Sequence, residues 1–159
     1  MSIFAQTTPA PRPKSEAVKQ IATLYAILLV IMAVCQLFTF ETFLTLLPSF
    51  NLPLGGLWPY ALGPLVVAAE VFALPFLLRM PLSIAFRALS MALGWMAAGI
   101  WLFVSLWVVG TAQPVDTIGF IGTLAPLTPG WWAVCMALAL AVLAAWSSWG
   151  VWPGKRRKK

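Results

Sequence analysis

Residues 60–78 read YALGPLVVAAEVFALPFLL, and this stretch decides the fold. All but one of its side chains are uncharged, the exception being Glu70. A hydrocarbon core about 30 Å thick requires roughly 20 apolar helical residues at about 1.5 Å each, which is the length of this run. Trp58 and Pro59 precede the run and Arg79 closes it. The stretch therefore predicts a helix that crosses a membrane.

Three further stretches have similar length and hydrophobicity, namely residues 20–40, 84–109 and 131–152. The chain is 62% hydrophobic and 9% charged, which lies outside the range of soluble globular proteins. Open sheets cannot span lipid, and the alternating pattern of a membrane barrel is missing. The sequence predicts an all-α integral membrane bundle of four transmembrane helices over residues 20–152. We expect a disordered basic N-terminus over residues 1–19 and a basic tail over residues 153–159.

The distribution of charge predicts the orientation of this bundle. Four passes place the N-terminus, the turn near residues 79–87 and the C-terminus on one side, and all ten Lys and Arg residues fall there. The opposite side carries Glu41 and Asp116. Since basic residues collect on the cytoplasmic side, both termini are predicted to be cytoplasmic. The tail is expected to bind anionic lipid head groups, at about 1 kcal/mol per basic residue, through Lys155, Arg156, Arg157, Lys158 and Lys159.

Several classes of function have no support in the composition. The basic residues cap apolar segments and do not line a polar face, which argues against nucleic-acid binding. The chain contains no histidine, so bis-histidine haem ligation, histidine-based metal sites and Ser-His-Asp triads are not available to it. Phosphate-binding loops and nucleophile motifs are also missing from the sequence. We therefore expect no metal and no haem, and the sequence supports no enzyme activity by itself.

Glu70 is the main candidate for a functional residue, because it places a charged side chain near the middle of the predicted second span. An ionised carboxylate there costs several kcal/mol unless it is paired, so we expect it to be neutral much of the time. One interpretation is a proton-carrying or ligand-binding carboxyl that faces a cavity. The alternative is a structural acid that bonds to a backbone carbonyl or to the indole of Trp95 or Trp101, both of which lie inside the third span.

Gln36 lies near the outer end of the first span, one turn from Thr39 and close to Thr42. These three side chains are compatible with a polar entrance. The candidates for ligand binding are Gln36, Trp95 and Trp101. Interhelical hydrogen bonding is the other use of such residues.

Cys35 and Cys135 are predicted to lie at a similar depth in the first and fourth spans. A redox or structural pair is compatible with that depth. Two inert buried thiols are the alternative. Neither the spacing of the two cysteines nor their number fits a CxxC motif or a zinc cluster.

Two connections on the outer side are more apolar than simple turns. Residues 41–57 are rich in Phe and Leu, and residues 110–130 combine several Gly and Pro residues with Ile118, Phe120 and Ile121. Gly and Pro favour an irregular loop, and the apolar side chains indicate that it folds down over the bundle. The two connections are therefore predicted to form a lid at the outer side.

The order of these features resembles the DoxX and MauE-like group of small four-helix bacterial membrane proteins. The resemblance covers about residues 20–152 and includes the outer segment Phe40 to Pro59, the glutamate in LVVAAE (residues 65–70) and the basic turn Arg79 to Arg87. The stretch DTIGFIG (residues 116–122) stands where MauE-like proteins carry a Cys-Gly-Cys-Phe-Gly loop. It has no cysteine, so the thiol chemistry of that loop does not carry over, and Glu70 alone transfers residue by residue.

The resemblance implies a protein of the bacterial inner membrane with an accessory role near redox or quinone-linked processes. Three hypotheses of function follow. The first is a non-catalytic accessory or assembly subunit that binds other membrane or periplasmic subunits. The second is a DoxX-like oxidoreductase component that acts with a quinone, with Glu70 as proton carrier. The third is a small transporter, which would require a polar path that the apolar spans do not offer.

Overall fold

The computed structural model describes residues 8–10, 13–53 and 58–151, and these residues fold into helices and loops. The helices are α1 (Glu16–Phe38), α2 (Phe40–Leu46), α3 (Trp58–Leu77), α4 (Ile84–Gly110) and α5 (Trp131–Val151), with a 3-10 turn at Leu47–Phe50 after α2. Four of them, α1, α3, α4 and α5, are long and apolar enough to cross a membrane. The prediction of an all-α protein with four such helices is confirmed.

Serine side chains fix the starts of two long helices. The hydroxyl of Ser15 accepts a hydrogen bond from the Val18 amide, so α1 begins at Glu16 and not near residue 20, where the hydrophobic pattern placed its start. Ser83 caps α4 in the same way through the Phe86 amide. Such caps satisfy amide groups that the first helical turn leaves without partners, so a helix can begin in polar sequence before its apolar run.

The four long helices form a square bundle in which each helix packs against two neighbours. Helix α1 packs against α3 and α5, and α4 packs against the same two. Small side chains line these contacts and are fully buried, which allows the backbones to approach closely, at Ala69, Ala73, Ala97, Ala133 and Ala137. The Tyr25 hydroxyl crosses the bundle from α1 and donates a 2.7 Å hydrogen bond to the Gly94 carbonyl of α4.

Large apolar side chains cover the outside of the bundle. Examples are Phe38 at 82% exposure and Ile84 at 66%, and other large apolar side chains are exposed along each of the four long helices. Soluble monomers rarely expose continuous apolar patches of this extent, because such patches cause association in water. The outer surface of the bundle therefore fits a lipid bilayer, as expected of a multi-pass membrane protein.

The two ends of the bundle differ, and we name them by what they carry. The cap end carries α2, the 3-10 turn and the loop of residues 111–130. The tail end carries the start of α1, the α3–α4 turn and the end of α5. At the tail end, residues of the N-terminal lead are hydrogen-bonded: Thr8 pairs with Leu82 through its amide at 3.1 Å, and Arg87 donates to the Thr8 carbonyl at 3.2 Å.

Lys14 makes a second attachment at the tail end. Its ammonium donates a 2.6 Å hydrogen bond to the Trp149 carbonyl and lies 4.0 Å from the centre of a Trp149 ring. Within residues 8–10 and 13–15, the segment predicted to be disordered is thus bonded to α5 and to the α3–α4 turn. The five tail residues predicted to bind lipid, 155–159, lie outside the described residues.

Candidate functional site

Glu70 lies at the centre of a hydrogen-bonded cluster that joins three helices. Helix α3 directs its side chain into the bundle, where it is fully buried. Its Oε1 accepts hydrogen bonds from Trp101 Nε1 of α4 at 2.9 Å and from Gln36 Nε2 of α1 at 3.2 Å. Both donors were candidates from the sequence, so the structure brings Glu70, Gln36 and Trp101 together in one site.

Gln36 also connects this cluster to the loop at the cap end. Its Nε2 donates a second hydrogen bond, of 3.0 Å, to the backbone carbonyl of Phe120. The Gln36 side chain is fully buried. It therefore does not line an open entrance in this structure, and it bonds between helices and to the loop, which was the alternative use considered for it.

Aromatic rings close the site toward the cap end. The Phe120 ring lies 4.8 Å from the Trp101 ring, measured between centroids and with a tilt of 38°. Phe43 of α2 lies 6.5 Å from Trp101, and Trp132 of α5 lies 6.3 Å from Phe120. Tilted pairs at these separations are favourable beyond the area that they bury. The polar cluster is thus sealed by rings from four separate segments.

Two oxygens of the cluster have no hydrogen-bond partner among the described residues, namely Glu70 Oε2 and Gln36 Oε1. A buried polar atom left unpaired costs about 1–3 kcal/mol. In a neutral carboxyl whose Oε1 accepts two N–H bonds, Oε2 is the oxygen that carries the proton. With Glu70 neutral, the site has one hydroxyl donor, on Glu70 Oε2, and one amide acceptor, on Gln36 Oε1, and these are the two atoms available to a further polar group.

Hydrogen bonds and close packing hold the loop at the cap end against α1. The Thr123 amide donates to Thr39 Oγ1 at 3.1 Å, and the hydroxyls of Thr42 and Thr123 are 2.6 Å apart. Gly122 packs so closely that a Cβ there would lie 3.0 Å from the Cys35 carbonyl oxygen. The two threonines singled out with Gln36 in the sequence thus serve to attach the loop.

The remaining sequence candidates lie apart from the cluster. Trp95 faces outward at 44% exposure and donates to Ser148 Oγ at 3.2 Å, so it does not contact Glu70. Cys35 and Cys135 are both free thiols, with Cys35 partly buried and Cys135 on the exposed side of α5. Across residues 8–10, 13–53 and 58–151, no group of three His, Cys, Asp or Glu side chains is placed to hold a metal ion.

Phe120, Phe43 and Trp132 are the members of the site that the sequence did not identify as such. The apolar side chain of Phe120 indicated that the loop folds down over the bundle. Its role as a hydrogen-bond acceptor is a property of the backbone, which no residue type reveals. Phe43 carried only the signal of an apolar segment at the outer side.

Comparison with protein-family models, curated proteins and solved structures gives no match to this chain, so the interpretation of the site is based on its own geometry.

Proposed function

We propose that this chain is a non-catalytic accessory or assembly subunit of a larger complex in the bacterial inner membrane. The observation that carries the proposal is Gly99, a glycine on the exposed side of α4. Glycine inside a helix costs about 1 kcal/mol relative to alanine, so its presence there calls for a reason. The reason that we infer is close contact with a helix of another subunit.

Among the described residues, nothing requires glycine at position 99. A Cβ built on Gly99 would meet no atom within 4 Å, whereas one on Gly94, on the buried side of the same helix, would meet Ala73 at 3.5 Å. Small residues in membrane helices commonly mark the places where two helices approach closely. Gly94 has such a neighbour inside the bundle, and Gly99 is free to have one outside it.

The side chains around Gly99 give this surface a definite shape. Trp95 lies one turn before it and Phe103 one turn after it, and both are 44% exposed. Residues four positions apart lie on the same face of a helix, so the two rings frame a hollow with Gly99 at its floor. A partner helix can insert a large apolar side chain into such a hollow, as knobs insert into holes in helical bundles.

The test is co-purification after extraction in a mild detergent, with partners identified by mass spectrometry. Gly99→Leu fills the hollow and is expected to reduce partner recovery at least about tenfold, since about 1.4 kcal/mol of lost binding is sufficient. Gly110→Leu is the matched control, because a Cβ at Gly110 also meets nothing within 4 Å. Partner recovery that is equal in both variants, or wild-type protein that purifies alone, would contradict the proposal.

The orientation we propose places both termini and the tail end of the bundle in the cytoplasm. Four basic side chains of the described residues belong to the tail end, namely Lys14, Lys19, Arg79 and Arg87, whereas Glu41 and Asp116 belong to the cap end. The positive-inside rule supports this orientation. The cap end would then face the periplasm.

A second candidate function is a quinone-linked redox component with Glu70 as proton carrier, and the unpaired Glu70 Oε2 is the observation that favours it. A proton carrier needs an oxygen that is free to exchange its proton. Glu70→Gln keeps the size of the side chain and the acceptor for Trp101 but removes the exchangeable acid.

We expect Glu70→Gln to insert at the wild-type level and to lower quinone-dependent electron transfer in membranes that carry the protein at least about tenfold. Glu41→Gln, which changes an exposed carboxyl at the cap end, is the control and should leave the rate unchanged. An unchanged rate in Glu70→Gln would remove the proton-carrier function.

A further inference from the structure

Phe120 contributes two chemically different groups to the buried cluster. Its carbonyl oxygen accepts the 3.0 Å hydrogen bond from Gln36, and its ring packs 4.8 Å from the ring of Trp101. One residue of the loop thus presents a flat ring and a carbonyl oxygen to the same site. Next to them lie the two oxygens, on Glu70 and Gln36, that have no partner in the described part of the chain.

We propose that Gln36, Glu70 and Trp101 form a binding site for a planar ring compound that carries a carbonyl oxygen, and that Phe120 occupies this site as a lid when the compound is not bound. Quinone head groups are the chemical class that combines these features. The choice of ligand rests on the second candidate function, whereas the role of Phe120 as a lid does not.

The hydrogen-bonding groups of the site match such a ligand. When Phe120 withdraws, Gln36 Nε2 becomes free to donate to a ligand carbonyl and the face of Trp101 becomes free to stack on the ligand ring. The hydroxyl of a neutral Glu70 can donate a hydrogen bond to a second carbonyl of the ring, and no proton is transferred on binding. If the ligand carries a hydroxyl, Gln36 Oε1 can accept from it. Glu70 Oε2 then has a partner in every ligand of this class, and Gln36 Oε1 has one in a ligand that carries a hydroxyl.

The loop is built to move as a unit. It is held together by its own hydrogen bonds, because the Ile118 amide donates to the Leu127 carbonyl at 2.9 Å and the Leu127 amide donates to Thr117 Oγ1 at 3.2 Å. Compact loops whose ends are close often act as functional lids. Gly119 and Gly122, both with positive φ, flank the segment that carries Phe120 and provide positions at which the backbone can turn.

The attachment of the loop to α1 offers a way to lock it. The Thr42 and Thr123 hydroxyls touch at 2.6 Å, so cysteines at these two positions are placed to form a disulfide. The test uses the full-length chain with Cys35→Ala and Cys135→Ala, to which Thr42→Cys and Thr123→Cys are added. Dicyclohexylcarbodiimide, which modifies protonated carboxyls in apolar surroundings, is the probe, and mass spectrometry measures its adduct on Glu70.

In the reduced protein we expect Glu70 to be modified at least as fast as without the two added cysteines, because the contact between the Thr42 and Thr123 hydroxyls is lost. Oxidation should slow the modification at least about tenfold, because the disulfide keeps the loop closed over Glu70. A tenfold change corresponds to about 1.4 kcal/mol. Menadione, a soluble quinone, should protect Glu70 in the protein that carries only Cys35→Ala and Cys135→Ala, which has no thiol with which the quinone can react. Thr123→Cys alone, treated with the same oxidant, is the control and should react at the unlocked rate.

Equal modification of the oxidised and reduced proteins would overturn the lid. Slower modification after oxidation, without protection by menadione, would overturn the assignment of the ligand. Where the disulfide does not form, Phe120→Ala provides the test, because removal of the ring should speed modification at least about tenfold and an unchanged rate would also overturn the lid. Protection by menadione together with normal electron transfer in Glu70→Gln would keep the binding site and remove only the proton-carrier function.

Discussion

Trp101→Ala is expected to lower the free energy of unfolding by about 3–5 kcal/mol, as large-to-small substitutions of buried aromatic residues do. The Trp101 side chain is 1% exposed and packs against rings of α2 and of the loop at the cap end. Its removal leaves a cavity at the centre of the bundle. It also takes from Glu70 Oε1 the closer of its two donors.

Two variants separate the packing contribution of Trp101 from that of its N–H group. Trp101→Phe keeps a ring but loses the hydrogen bond to Glu70. We expect it to cost up to about 1.7 kcal/mol, since interhelical hydrogen bonds in membranes contribute about 0.6 kcal/mol on average and about 1.7 kcal/mol at most. Trp95→Ala is the matched control on the same helix, since Trp95 is 44% exposed and its indole donates to Ser148 on the outside of the bundle and not to Glu70. It should change the stability by less than about 1 kcal/mol.

The measurement is reversible unfolding in mixed micelles as the fraction of denaturing detergent increases, followed by circular dichroism. If Trp101→Ala unfolds at the same fraction of denaturing detergent as Trp95→Ala, the cluster contributes little to stability. In that event the unpaired oxygens of Glu70 and Gln36 would have to be explained by function alone.

The four long helices could be predicted from sequence because the bilayer imposes a length and a polarity that a single run of residues reveals. Residues 60–78 satisfy both conditions by themselves, without reference to any other part of the chain. The start of α1 was harder to predict, because it is set by the Ser15 hydroxyl and lies outside the apolar run.

The site was predictable only in part, for a geometric reason. Glu70 stands out because a carboxyl in an apolar span is costly, whichever way its helix is rotated. Trp95 and Trp101 lie on the same helix, six positions apart, and at about 100° per residue they face well-separated directions. Which of them faces Glu70 depends on how α4 is rotated against α3, and only the packed structure determines this.

The prediction for Cys35 and Cys135 was limited in the same way, by the unknown rotation of each helix. Depth along a helix can be counted from the sequence, and on that count the two thiols lie at a similar level. Rotation about the helix axis cannot be counted in this way, and the structure turns Cys135 to the exposed side of α5. The contact between Gln36 and the Phe120 carbonyl joins residues 84 positions apart through a backbone atom, so no local pattern indicates it.

Gly122→Ala is expected to release the loop at the cap end and leave the four long helices folded. Gly122 has φ +61°, in the left-handed region that residues with a Cβ rarely adopt. Strain of this kind costs about 1–3 kcal/mol. The new Cβ would in addition collide with Thr39 Oγ1 and lie 3.0 Å from the Cys35 carbonyl oxygen and 3.2 Å from Gln36 Cα. Two of these three neighbours are backbone atoms of α1, which cannot move aside without disturbing the helix.

Hydrogen exchange followed by mass spectrometry is the appropriate measurement, because it resolves the loop from the helices. The amides of residues 117–127 should lose protection in Gly122→Ala, whereas those of α4 should retain it. Gly110→Ala is the matched control, since a Cβ at Gly110 meets nothing within 4 Å. Adding Thr39→Ala to Gly122→Ala removes one collision and keeps both backbone contacts, so it should restore only part of the protection. Full restoration would show that the Thr39 side chain, and not the backbone of α1, excludes a Cβ at position 122. That result would contradict the prediction.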